Sequence, residues 1–481
     1  MKPSISGISD ISGKSVVCIL GSDKIPGNLK ISNREKRFVL DQLAKEEETI
    51  FINAYDRCIY FVRAKENEPQ YKISEQLRRS AYKLRKLIKS SNHNELVITS
   101  KDISQRSILD FTEGFILSIY CFGKYRDKND KNNRNKYPEK LLLNGDIDDK
   151  EILRLTETLQ AVYFARDLIN EPVNHLNAVK FADEIKKIGG SAGFSVEVLN
   201  KGKIEALKMG GLLAVNKGSV DPPSFSILEW KPKGHVNKRP VVLVGKGVVY
   251  DTGGLNLKPG ESMSGMKGDM AGAAIITGVV YVAAKTGIPL HIIGLIPSTD
   301  NRPGGNAYTQ GDIITMHNRK TVEVANTDAE GRLILADALS YASKYIPELI
   351  INVATLTGSA AMTFGTHAIA MMSNADRKYL DLLTECGNDT YERVAGLPFF
   401  DEYAEGLKSD VADLKNIGNS REAGAIVGGK FLEKFTEYPL IHLDIAGMEL
   451  LKKDEYYRLK NGTASGLRLL AEFLRRLVDQ Y

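Results

Sequence analysis

Two carboxylates and a guanidinium alternate in one short polar segment of the chain, residues 326–333, which reads Asn-Thr-Asp-Ala-Glu-Gly-Arg-Leu. In it, Asp328, Glu330 and Arg332 stand at every second position. Side chains at positions i and i+2 of an extended turn point the same way, so we expect these three groups to converge. Two acidic side chains held together repel each other unless a cation lies between them. The pattern therefore predicts a metal site, and the simpler alternative is a turn with a surface ion pair.

Further candidate ligands occur upstream, in a glycine-rich segment that follows the apolar run 241–244. This segment supplies Lys246 and Asp251, and Lys258 and Asp269 follow it. Its glycines allow a close approach of the backbone, and a lysine whose pKa is depressed near cations can itself bind a metal. Four carboxylates exceed what one divalent ion needs and fit two ions bridged by shared ligands, about 3.5–4 Å apart in such sites. The residues therefore predict a dinuclear metal centre.

Together, the two segments resemble the leucyl aminopeptidase family of cytosolic dizinc exopeptidases. The resemblance is carried by residues 326–333 and by Val-Gly-Lys-Gly, three further residues and Asp-Thr-Gly-Gly at 244–254. Shorter likenesses occur at 164–172, 303–307, 354–358 and 442–447, so the resemblance covers roughly residues 160–481. A match of this length combined with a spaced set of ligands is a specific signal.

The resemblance implies a role for each matched polar residue. The tighter metal ion would be held by Lys246, Asp251, Asp269 and Glu330, and a more exchangeable one by Asp251, Asp328 and Glu330. Lys258 would polarise the scissile carbonyl and stabilise the gem-diolate that develops from it. Arg332 would bind bicarbonate as the general base, in keeping with the lack of histidine in both segments. Both ions would be Zn²⁺, and carboxylate-rich ligands also suit Mn²⁺ or Mg²⁺ at the exchangeable position.

The reaction and its substrates are also implied by the resemblance. A metal-bridging hydroxide would attack the peptide carbonyl, because two cations lower the pKa of water from about 15.7 toward about 7. A site that must coordinate a free amine accepts only chain ends, so the enzyme would be an aminopeptidase that releases N-terminal residues. The substrate would be contacted by Met266, Thr355, Leu356, Gly358 and Ala446. An apolar pocket of this kind discriminates by about 1–3 kcal/mol per methylene, so broad specificity that favours Leu and Met is expected.

Other interpretations of these segments are weaker. A phosphate loop at 245–247 lacks the GxxxxGK[ST] pattern, and the nearby carboxylates would repel phosphate. Residues 189–193 match GxSxG but follow a helical segment and precede a strand, the reverse of a nucleophile elbow. A non-enzymatic protein on the same fold, such as a nucleic-acid-binding regulator, would be expected to lose at least one of the seven site residues, and all seven are present. Hydrolysis of cysteinylglycine lies within the range of the family and is an alternative activity. The resemblance also places the acid Glu449 near the outer wall of the pocket.

The elements that must position these residues are predicted to form two α/β domains. With 481 residues, the chain exceeds the size of a single hydrophobic core, about 250–300 residues. We expect a smaller N-terminal α/β domain over 1–150, a linking helix over 151–170 and a catalytic domain over 171–481. In the N-terminal domain, strands are predicted at 15–20, 49–53 and 115–120, and a basic helix at 75–90.

In the catalytic domain, short apolar runs alternate with helical patterns. Buried strands are predicted at 241–244, 292–296, 350–354, 368–372 and 440–443, with helices at 271–284 and 333–345. This order predicts a mixed, largely parallel sheet covered by helices on both faces. Lys246 and Thr355 would then follow the carboxyl ends of strands, where ligands bind in such sheets.

Composition predicts a cytoplasmic protein without membrane contact. Apolar residues make up 43% of the chain and charged residues 26%, as in ordinary soluble proteins. The four cysteines are scattered without a CxxC spacing, which argues against a disulfide framework or a cysteine-type zinc site. The N-terminal residues show no apolar leader. The apolar run 271–284 is too short to span a bilayer, which takes about 20 residues.

Charge is unevenly distributed along the chain. Residues 1–150 carry 28 Lys and Arg against 21 Asp and Glu, whereas the remainder carries 37 against 39. The excess lies mainly at 78–89 and at 124–140, and the second run predicts a solvated loop. Some members of the family that this chain resembles bind DNA through the N-terminal domain. Runs that mix acidic and basic residues are common on solvated protein surfaces, so we expect a solvated face here. The resemblance also implies a homohexamer, assembled through the C-terminal domains, that acts on peptides with a free N-terminus.

Overall fold

The structure, a computed structural model, describes residues 2–65, 67–127 and 137–481. Residues 128–136, in the middle of the loop predicted at 124–140, lie outside the described residues. The chain divides into two compact units. The first consists of Met1–Gln160 with Lys453–Lys460, and the second of Ala161–Lys452 with Asn461–Tyr481. The division falls inside the helix Asp149–Asn170, which includes the segment predicted to link two domains.

The first unit is built on a six-stranded sheet. Its strands are β1 (Ser4–Gly7), β2 (Val16–Leu20), β3 (Thr49–Asn53), β4 (Cys58–Arg63), β5 (Glu95–Lys101) and β6 (Lys140–Asn144). The order across the sheet is β1-β6-β5-β2-β4-β3, and all neighbours are parallel except β3, which is antiparallel to β4. Its helices are α1 (Asn33–Leu43), α2 (Gln70–Ser90), α3 (Arg106–Ser118) and α4 (Asp149–Asn170), the last of which continues into the second unit. The predicted α/β architecture is therefore confirmed for this part of the chain.

The strand predicted at 115–120 is wrong, because residues 115–118 form the last turn of α3. Ile108, Phe111 and Phe115 are fully buried and recur at intervals of three and four residues, which is the helical period. A short apolar run cannot by itself distinguish a buried strand from a buried helix. The helical spacing of the apolar residues upstream of Phe115 was the signal that could have identified the helix.

The second unit contains a nine-stranded sheet together with two smaller ones. Its strands are β7 (Ser195–Leu199), β8 (Ser224–Trp230), β9 (Val241–Gly245), β10 (Gly247–Asp251), β11 (Ile292–Asn301), β12 (Ile313–Thr315), β13 (Thr321–Glu323), β14 (Leu349–Ala354), β15 (Ile369–Ser373), β16 (Val394–Gly396), β17 (Leu414–Lys415), β18 (Leu440–Asp444), β19 (Leu450–Leu451) and β20 (Asn461–Gly462). Its helices are α5 (Ala178–Ala192), α6 (Lys201–Ala206), α7 (Gly210–Asn216), α8 (Gly260–Met263), α9 (Ala271–Thr286), α10 (Glu330–Ala342), α11 (Gly358–Phe364), α12 (Arg377–Thr390), α13 (Gly424–Glu433) and α14 (Leu467–Leu477). The five strands predicted for the catalytic domain all belong to the nine-stranded sheet.

Parallel strands form the centre of this sheet. From β18 through β14 and β9 to β11, each neighbouring pair is parallel, and β10 is parallel to β11. Antiparallel pairs lie outside this group, where β8 follows β11, β7 follows β8 and β15 follows β18. The predicted mixed, largely parallel sheet is therefore confirmed. Its parallel centre brings the carboxyl ends of five strands to one edge.

Helices pack on both faces of the central strands. Val242 and Val244 of β9 belong to a hydrophobic cluster with Leu333 and its neighbours on α10. Gly245 points to the opposite face because side chains alternate along a strand. A Cβ on Gly245 would lie only 2.6 Å from the Cα of Ala273 in α9. Both faces are covered, which explains why these strands read as continuous apolar runs.

Helix α10 begins at Glu330, earlier than the predicted start at 333. The extended turn assumed for residues 328–332 is therefore wrong, since Glu330 and Arg332 lie in the first turns of this helix. An acidic residue is favourable at a helix N-terminus, where the helix dipole places partial positive charge. The apolar pattern that begins at Leu333 did not reveal this polar start.

One stretch, Gly260–Thr286, is long and apolar enough to cross a membrane by length and composition. Within its most apolar window, 89% of the residues are buried inside the structure. All of residues 271–283 in α9 are buried, as in the core helix of a globular domain. This stretch is therefore weak evidence for a membrane span.

We predict that Gly272→Ala destabilises the second unit. Its Cβ would lie 2.1 Å from the carbonyl oxygen of Val353 in β14, so α9 would have to move from the sheet, at about 1–3 kcal/mol or more. The matched control is Gly190→Ala in α5, where a Cβ meets nothing within 4 Å. That variant should gain about 0.5–1 kcal/mol, because alanine is the better helix former. Thermal unfolding of both variants tests the contrast, and equal midpoints would contradict it.

Candidate metal centre

The site residues lie at the carboxyl edge of the parallel strands. Lys246 follows β9, Thr355 follows β14, and Asp251 is the last residue of β10. Asp444 ends β18 and Asn301 ends β11. Because these strands are parallel, their carboxyl ends lie at the same edge of the sheet. The position predicted for Lys246 and Thr355 is therefore the observed one.

Three carboxylates form the centre of the site. Asp251, Asp328 and Glu330 each offer an oxygen within 4.8 Å of the others. Asp251 and Glu330 are buried, with exposed fractions of 2% and 1%. The convergence predicted for Asp328 and Glu330 thus occurs, although a helix start rather than an extended turn produces it. Buried carboxylates at this spacing need positive charge between or beside them.

Two lysines supply part of this positive charge. The Nζ of Lys258 lies 2.9 Å from Asp251 Oδ2 and 2.5 Å from Asp328 Oδ1. The Nζ of Lys246 lies 2.9 Å from Glu330 Oε1, and it donates to Asp269 Oδ1 at 2.8 Å. Lys246 thereby joins Asp269, which lies outside the group of three carboxylates, to the same site.

Asp269 is fixed by the loop that follows β14. Its Oδ1 accepts a hydrogen bond from the Thr355 hydroxyl at 2.7 Å, in addition to the one from Lys246. The Thr355 carbonyl accepts a further hydrogen bond from the Lys246 Nζ at 2.9 Å. Thr355, expected to contact the substrate, therefore also orients two candidate ligands.

Burial is the largest influence on the charge states of the site. It raises the pKa of Glu330 and Asp328, and Asp251 adds to this through its negative charge. The pKa of Asp269 is likewise raised well above its ordinary value by burial. Burial lowers the pKa of Lys246, but the charges of Asp269 and Glu330 outweigh it, so the net direction is upward. The raised pKa values of the carboxyl groups indicate that the nearby positive charge does not fully offset their burial. The raised pKa of Lys246 favours its protonated form.

The donor set fits divalent cations. Among the described residues, Glu330 Oε2 and Asp269 Oδ2 are buried oxygens without a hydrogen-bond partner. Such orphan oxygens are rare in native structures unless water or an ion satisfies them. Carboxylate oxygens with amine nitrogens close by are suitable ligands for Zn²⁺, Mn²⁺ or Mg²⁺.

Arg332 lies beside this group on α10. Its NH1 donates to the Asn416 carbonyl at 2.8 Å, and its guanidinium carbon lies 6.0 Å from the centre of the Phe431 ring. The buried Nε has no hydrogen-bond partner within the part of the chain that the structure describes. Burial lowers the pKa of Arg332 to about 10. The side chain is therefore a cation with spare donor capacity, suited to an anion.

Asp444 holds two of the residues predicted to contact the substrate, and it was not itself identified as a site residue from the sequence. Its Oδ1 accepts from the backbone N–H of Leu356 at 2.9 Å and of Ala446 at 3.2 Å. Its Oδ2 accepts from the Thr357 hydroxyl at 2.7 Å. One carboxylate therefore joins two segments that were predicted to contact the substrate. Its place inside the family-like segment 442–447 was the signal that could have revealed it.

The remaining two predicted contact residues lie in neighbouring local structures. Met266 begins a 3₁₀ turn, Met266–Gly268, that leads directly into Asp269, and it is half-buried. Gly358 begins α11 and is exposed. Thr357 precedes it as the helix N-cap and accepts from the backbone N–H of Ala360. Met266 and Gly358 thus each lie three residues from a group of the site, Asp269 and Thr355 respectively.

Asn301 and Tyr308 support the site without a recognisable sequence signal. The Asn301 amide donates to Asp251 Oδ1 at 2.9 Å and to the Thr327 carbonyl at 3.0 Å. The buried Tyr308 hydroxyl donates to the same carbonyl at 2.6 Å. These neutral side chains hold the backbone next to Asp328, and their roles depend on long-range packing that local patterns do not report.

Glu449 carries a buried carboxylate oxygen. Its Oε2 has no hydrogen-bond partner among the described residues. Burial raises the pKa of Glu449 to about 7, although its own backbone N–H and that of Gly447 favour the charged form. The acid noted in the sequence is therefore half-buried, with one carboxylate oxygen out of contact with solvent.

Comparison with known proteins agrees with the architecture of the second unit. The model of the "Cytosol aminopeptidase family, catalytic domain" matches residues 163–471. A probable cytosol aminopeptidase of Chlorobaculum tepidum is 49% identical over 65% of this chain, and the chain spans 62% of that protein's length. Probable cytosol aminopeptidases of Chlorobium limicola and Geobacter sulfurreducens are 44% and 41% identical over 76% and 77% of this chain, and over 74% and 75% of their own lengths.

A solved structure is similar over nearly the whole chain. Two structures of the bottromycin maturation enzyme BotP, one of them in complex with Mn, align with a TM-score of 0.83 at 27% identity. The alignment covers 97% of this chain and 100% of BotP.

We predict that Glu449 makes the protein less stable as the pH rises. Its folded pKa of about 7 lies above the ordinary value, so the folded protein retains a proton that the unfolded chain loses between about pH 4.5 and 7. Glu449→Gln should therefore be more stable than the wild type at pH 8, by up to about 3 kcal/mol, and equally stable near pH 4. The unfolding midpoints of metal-free protein test this, with exposed Glu437→Gln as the control. A stability difference that does not depend on pH would contradict the prediction.

Proposed function

The chain belongs to the cytosol aminopeptidase family, and from that premise we propose that it is a metal-dependent aminopeptidase. It would release N-terminal residues from peptides by hydrolysis. The observation that carries this proposal is the buried cluster of Asp251, Asp328 and Glu330, with two lysines at its edge and orphan carboxylate oxygens. Most buried polar atoms of native proteins have a hydrogen-bond partner, so the orphan oxygens at this cluster support a bound cation.

We propose that the cluster holds two divalent cations. The tighter ion would be held by Lys246, Asp251, Asp269 and Glu330, and the more exchangeable one by Asp251, Asp328 and Glu330. Bound in this way, such ions act as Lewis acids and lower the pKa of water from about 15.7 to about 7. Zn²⁺ is the expected metal, and the Mn in the BotP complex supports Mn²⁺ as an alternative at the exchangeable position.

Lys258 is proposed to stabilise negative charge on the substrate. Burial lowers its pKa, but Asp251 and Glu330 outweigh that effect and keep the ammonium charged. Its Nζ is held between Asp251 and Asp328, at the edge of the cluster where a peptide carbonyl would approach. A fixed cation at that position favours the oxyanion that develops as the carbonyl is attacked.

Arg332 is proposed to hold a bicarbonate ion. Its Nε, which has no hydrogen-bond partner among the described residues, and its NH1 hydrogen bond to the Asn416 carbonyl support this role. Bicarbonate would supply general-base chemistry, for which the two ligand segments offer no histidine. Arg332 would orient the anion, since a planar guanidinium binds carboxylate-like groups through two parallel hydrogen bonds.

The proposed substrates are peptides with a free N-terminus and an apolar first residue, Leu or Met in particular. Met266, Thr355, Leu356, Gly358 and Ala446 would contact the first residue. Asp444 supports this arrangement because it ties the backbones of Leu356 and Ala446 to one carboxylate. Such a pocket separates related apolar side chains by only about 1–3 kcal/mol per methylene, so specificity would be broad.

We propose a cytoplasmic homohexamer assembled through the C-terminal domains, on the family resemblance. The free thiols of all four cysteines support a reducing compartment. Basic side chains of α2 are engaged with acids of the same unit, for example Lys83 with Glu48 at 2.7 Å and Arg79 with Glu75 at 2.6 Å. This pairing supports a solvated surface in preference to a nucleic-acid-binding one.

Hydrolysis of leucine-p-nitroanilide is predicted to depend on a free amine and on metal. The N-acetylated analogue should not be cleaved, because an acylated amine cannot bind at a site for chain ends. Phenanthroline should abolish cleavage, and Zn²⁺ or Mn²⁺ should restore it. Absence of cleavage by metal-loaded protein would overturn the proposed activity and direct attention to a binding role for the first unit.

Lys258→Ala and Asp251→Ala are predicted to fail in different ways. Lys258→Ala should lower kcat by about 10²–10³-fold with metal content retained, because it removes one charge-stabilising group. Asp251→Ala should lose metal and activity together, because the residue would ligate both ions. Metal content and steady-state kinetics separate the two, with exposed Lys408→Ala as the control. Full activity in either site variant would contradict the proposed roles.

A further inference from the structure

The carboxylates of the candidate metal centre come from two loops that are distant in sequence. One loop runs from Asp251, at the end of β10, to Lys258. The other precedes α10 and contains Thr327 and Asp328. Asp251 and Asp328 belong to the same cluster, so their negative charges push the two loops apart. Lys258 offsets part of this repulsion through its ion pairs with both carboxylates, and hydrogen bonds between the loops add to it.

Asn256 and Thr327 provide a reciprocal pair of hydrogen bonds between these loops. The backbone N–H of Asn256 donates to the Thr327 hydroxyl at 2.8 Å, and the backbone N–H of Thr327 donates to Asn256 Oδ1 at 2.8 Å. The Thr327 hydroxyl in turn donates to the Gly253 carbonyl at 2.7 Å. We call this set the Asn256–Thr327 clasp.

Every polar atom of Thr327 takes part in this network, and the residue is fully buried. Its carbonyl accepts from Tyr308 at 2.6 Å and from Asn301 at 3.0 Å. Because Asn301 also donates to Asp251, the backbone beside Asp328 and the Asp251 carboxylate share one donor. The clasp therefore fixes both loops relative to the end of β11.

The loops approach each other closely at Gly253. This residue has a φ of +88°, and a Cβ there would lie 3.0 Å from Asp328 Oδ1 and 2.4 Å from the Asn256 carbonyl. A side chain at this position would separate the two carboxylates. Gly253 thus permits the close approach of the two loops, and the Asn256–Thr327 clasp stabilises it.

We propose that Asn256 and Thr327 are positioning residues that hold the Asp251 loop and the Asp328 loop in the arrangement that binds a divalent cation. The inference rests on the proposed metal-dependent function. Both side chains are uncharged, and they bond to the backbone of the two loops, so their effect acts through Asp251, Asp328 and Lys258. Outer hydrogen bonds of this kind typically change metal affinity by about 10–100-fold when they are removed.

Thr327→Val tests the clasp because it removes the hydroxyl while it keeps the size and β-branching of the side chain. Asn256→Ala is a second variant at a half-buried position, where folding is less sensitive. Thr327→Ser retains the hydroxyl and should rescue. Asn237→Ala is the matched control, since Asn237 also clamps two loops, with hydrogen bonds to Arg239 and His291 before β9 and β11, at the opposite edge of the sheet.

The primary measurement is Mn²⁺ binding to chelator-treated full-length protein by titration calorimetry, together with the unfolding midpoint of the metal-free form. We expect Thr327→Val and Asn256→Ala to bind Mn²⁺ about 10–100-fold more weakly, Thr327→Ser to bind like the wild type, and Asn237→Ala to lose stability without losing affinity. Wild-type Mn²⁺ affinity in folded Thr327→Val and Asn256→Ala would overturn the clasp. An equal loss of affinity in Asn237→Ala would do so as well, because the effect would then be general destabilisation.

The same titration separates this inference from the proposed function. Wild-type protein that binds Mn²⁺ but does not cleave leucine-p-nitroanilide would overturn the aminopeptidase activity, and the affinities of the variants would still decide the role of the clasp. Wild-type protein that binds no Mn²⁺ would overturn the metal centre and the clasp together.

Discussion

The repulsion among buried carboxylates is the constraint on which the rest of this structure depends. Asp251, Asp328 and Glu330 lie within 4.8 Å of one another, and two of the three are almost fully buried. Burial and mutual charge both favour protonation of such groups. The folded unit must supply the free energy that keeps them together. It places Asp251 at the end of β10 and Glu330 at the start of α10, and hydrogen bonds between Asn256 and Thr327 hold the loop that carries Asp328.

The parallel centre of the nine-stranded sheet meets this requirement. It brings Lys246 after β9 and Asp251 at the end of β10 to one edge, while α10 starts with Glu330 beside them. Helix α9 packs closely on β9 at Gly245 and, through its own Gly272, on β14, and Asp269 just before this helix accepts from Lys246. The apolar cores on both faces therefore make the sheet rigid, and this rigidity fixes the positions of the charged residues at its carboxyl edge.

The charged residues of the site were predictable from the sequence, whereas the neutral residues that hold them were not. Asp328 and Glu330 stand in a short polar segment whose composition indicates a cation site without any knowledge of the fold. Asn301, Tyr308 and Asp444 are brought to the site by strand pairing and packing, and each would be an ordinary polar residue in a local pattern. The buried strands of the second unit were predictable because their short apolar runs alternate with longer helical patterns.

The two errors in the predicted elements have a common cause. Residues 115–118 and the start of α10 were assigned from a local window, although a helix is defined by contacts over three and four residues. The apolar run in α3 looks like a strand when its upstream turn is ignored. The polar first turn of α10 looks like a loop when the buried apolar residues that follow it in the helix are ignored. Neither error moved a charged residue away from the site, because the strand ends determine where the site lies.

The two lysines give the centre a charge balance that depends on what occupies it. Four acids, Asp251, Asp269, Asp328 and Glu330, face three bases, Lys246, Lys258 and Arg332. The acids hold Lys246 in its protonated form, and a protonated amine cannot serve as a ligand. Lys246 would therefore have to release a proton to take the ligand role proposed for it. Without an ion, its ammonium group lies between Asp269 and Glu330 and offsets part of their negative charge.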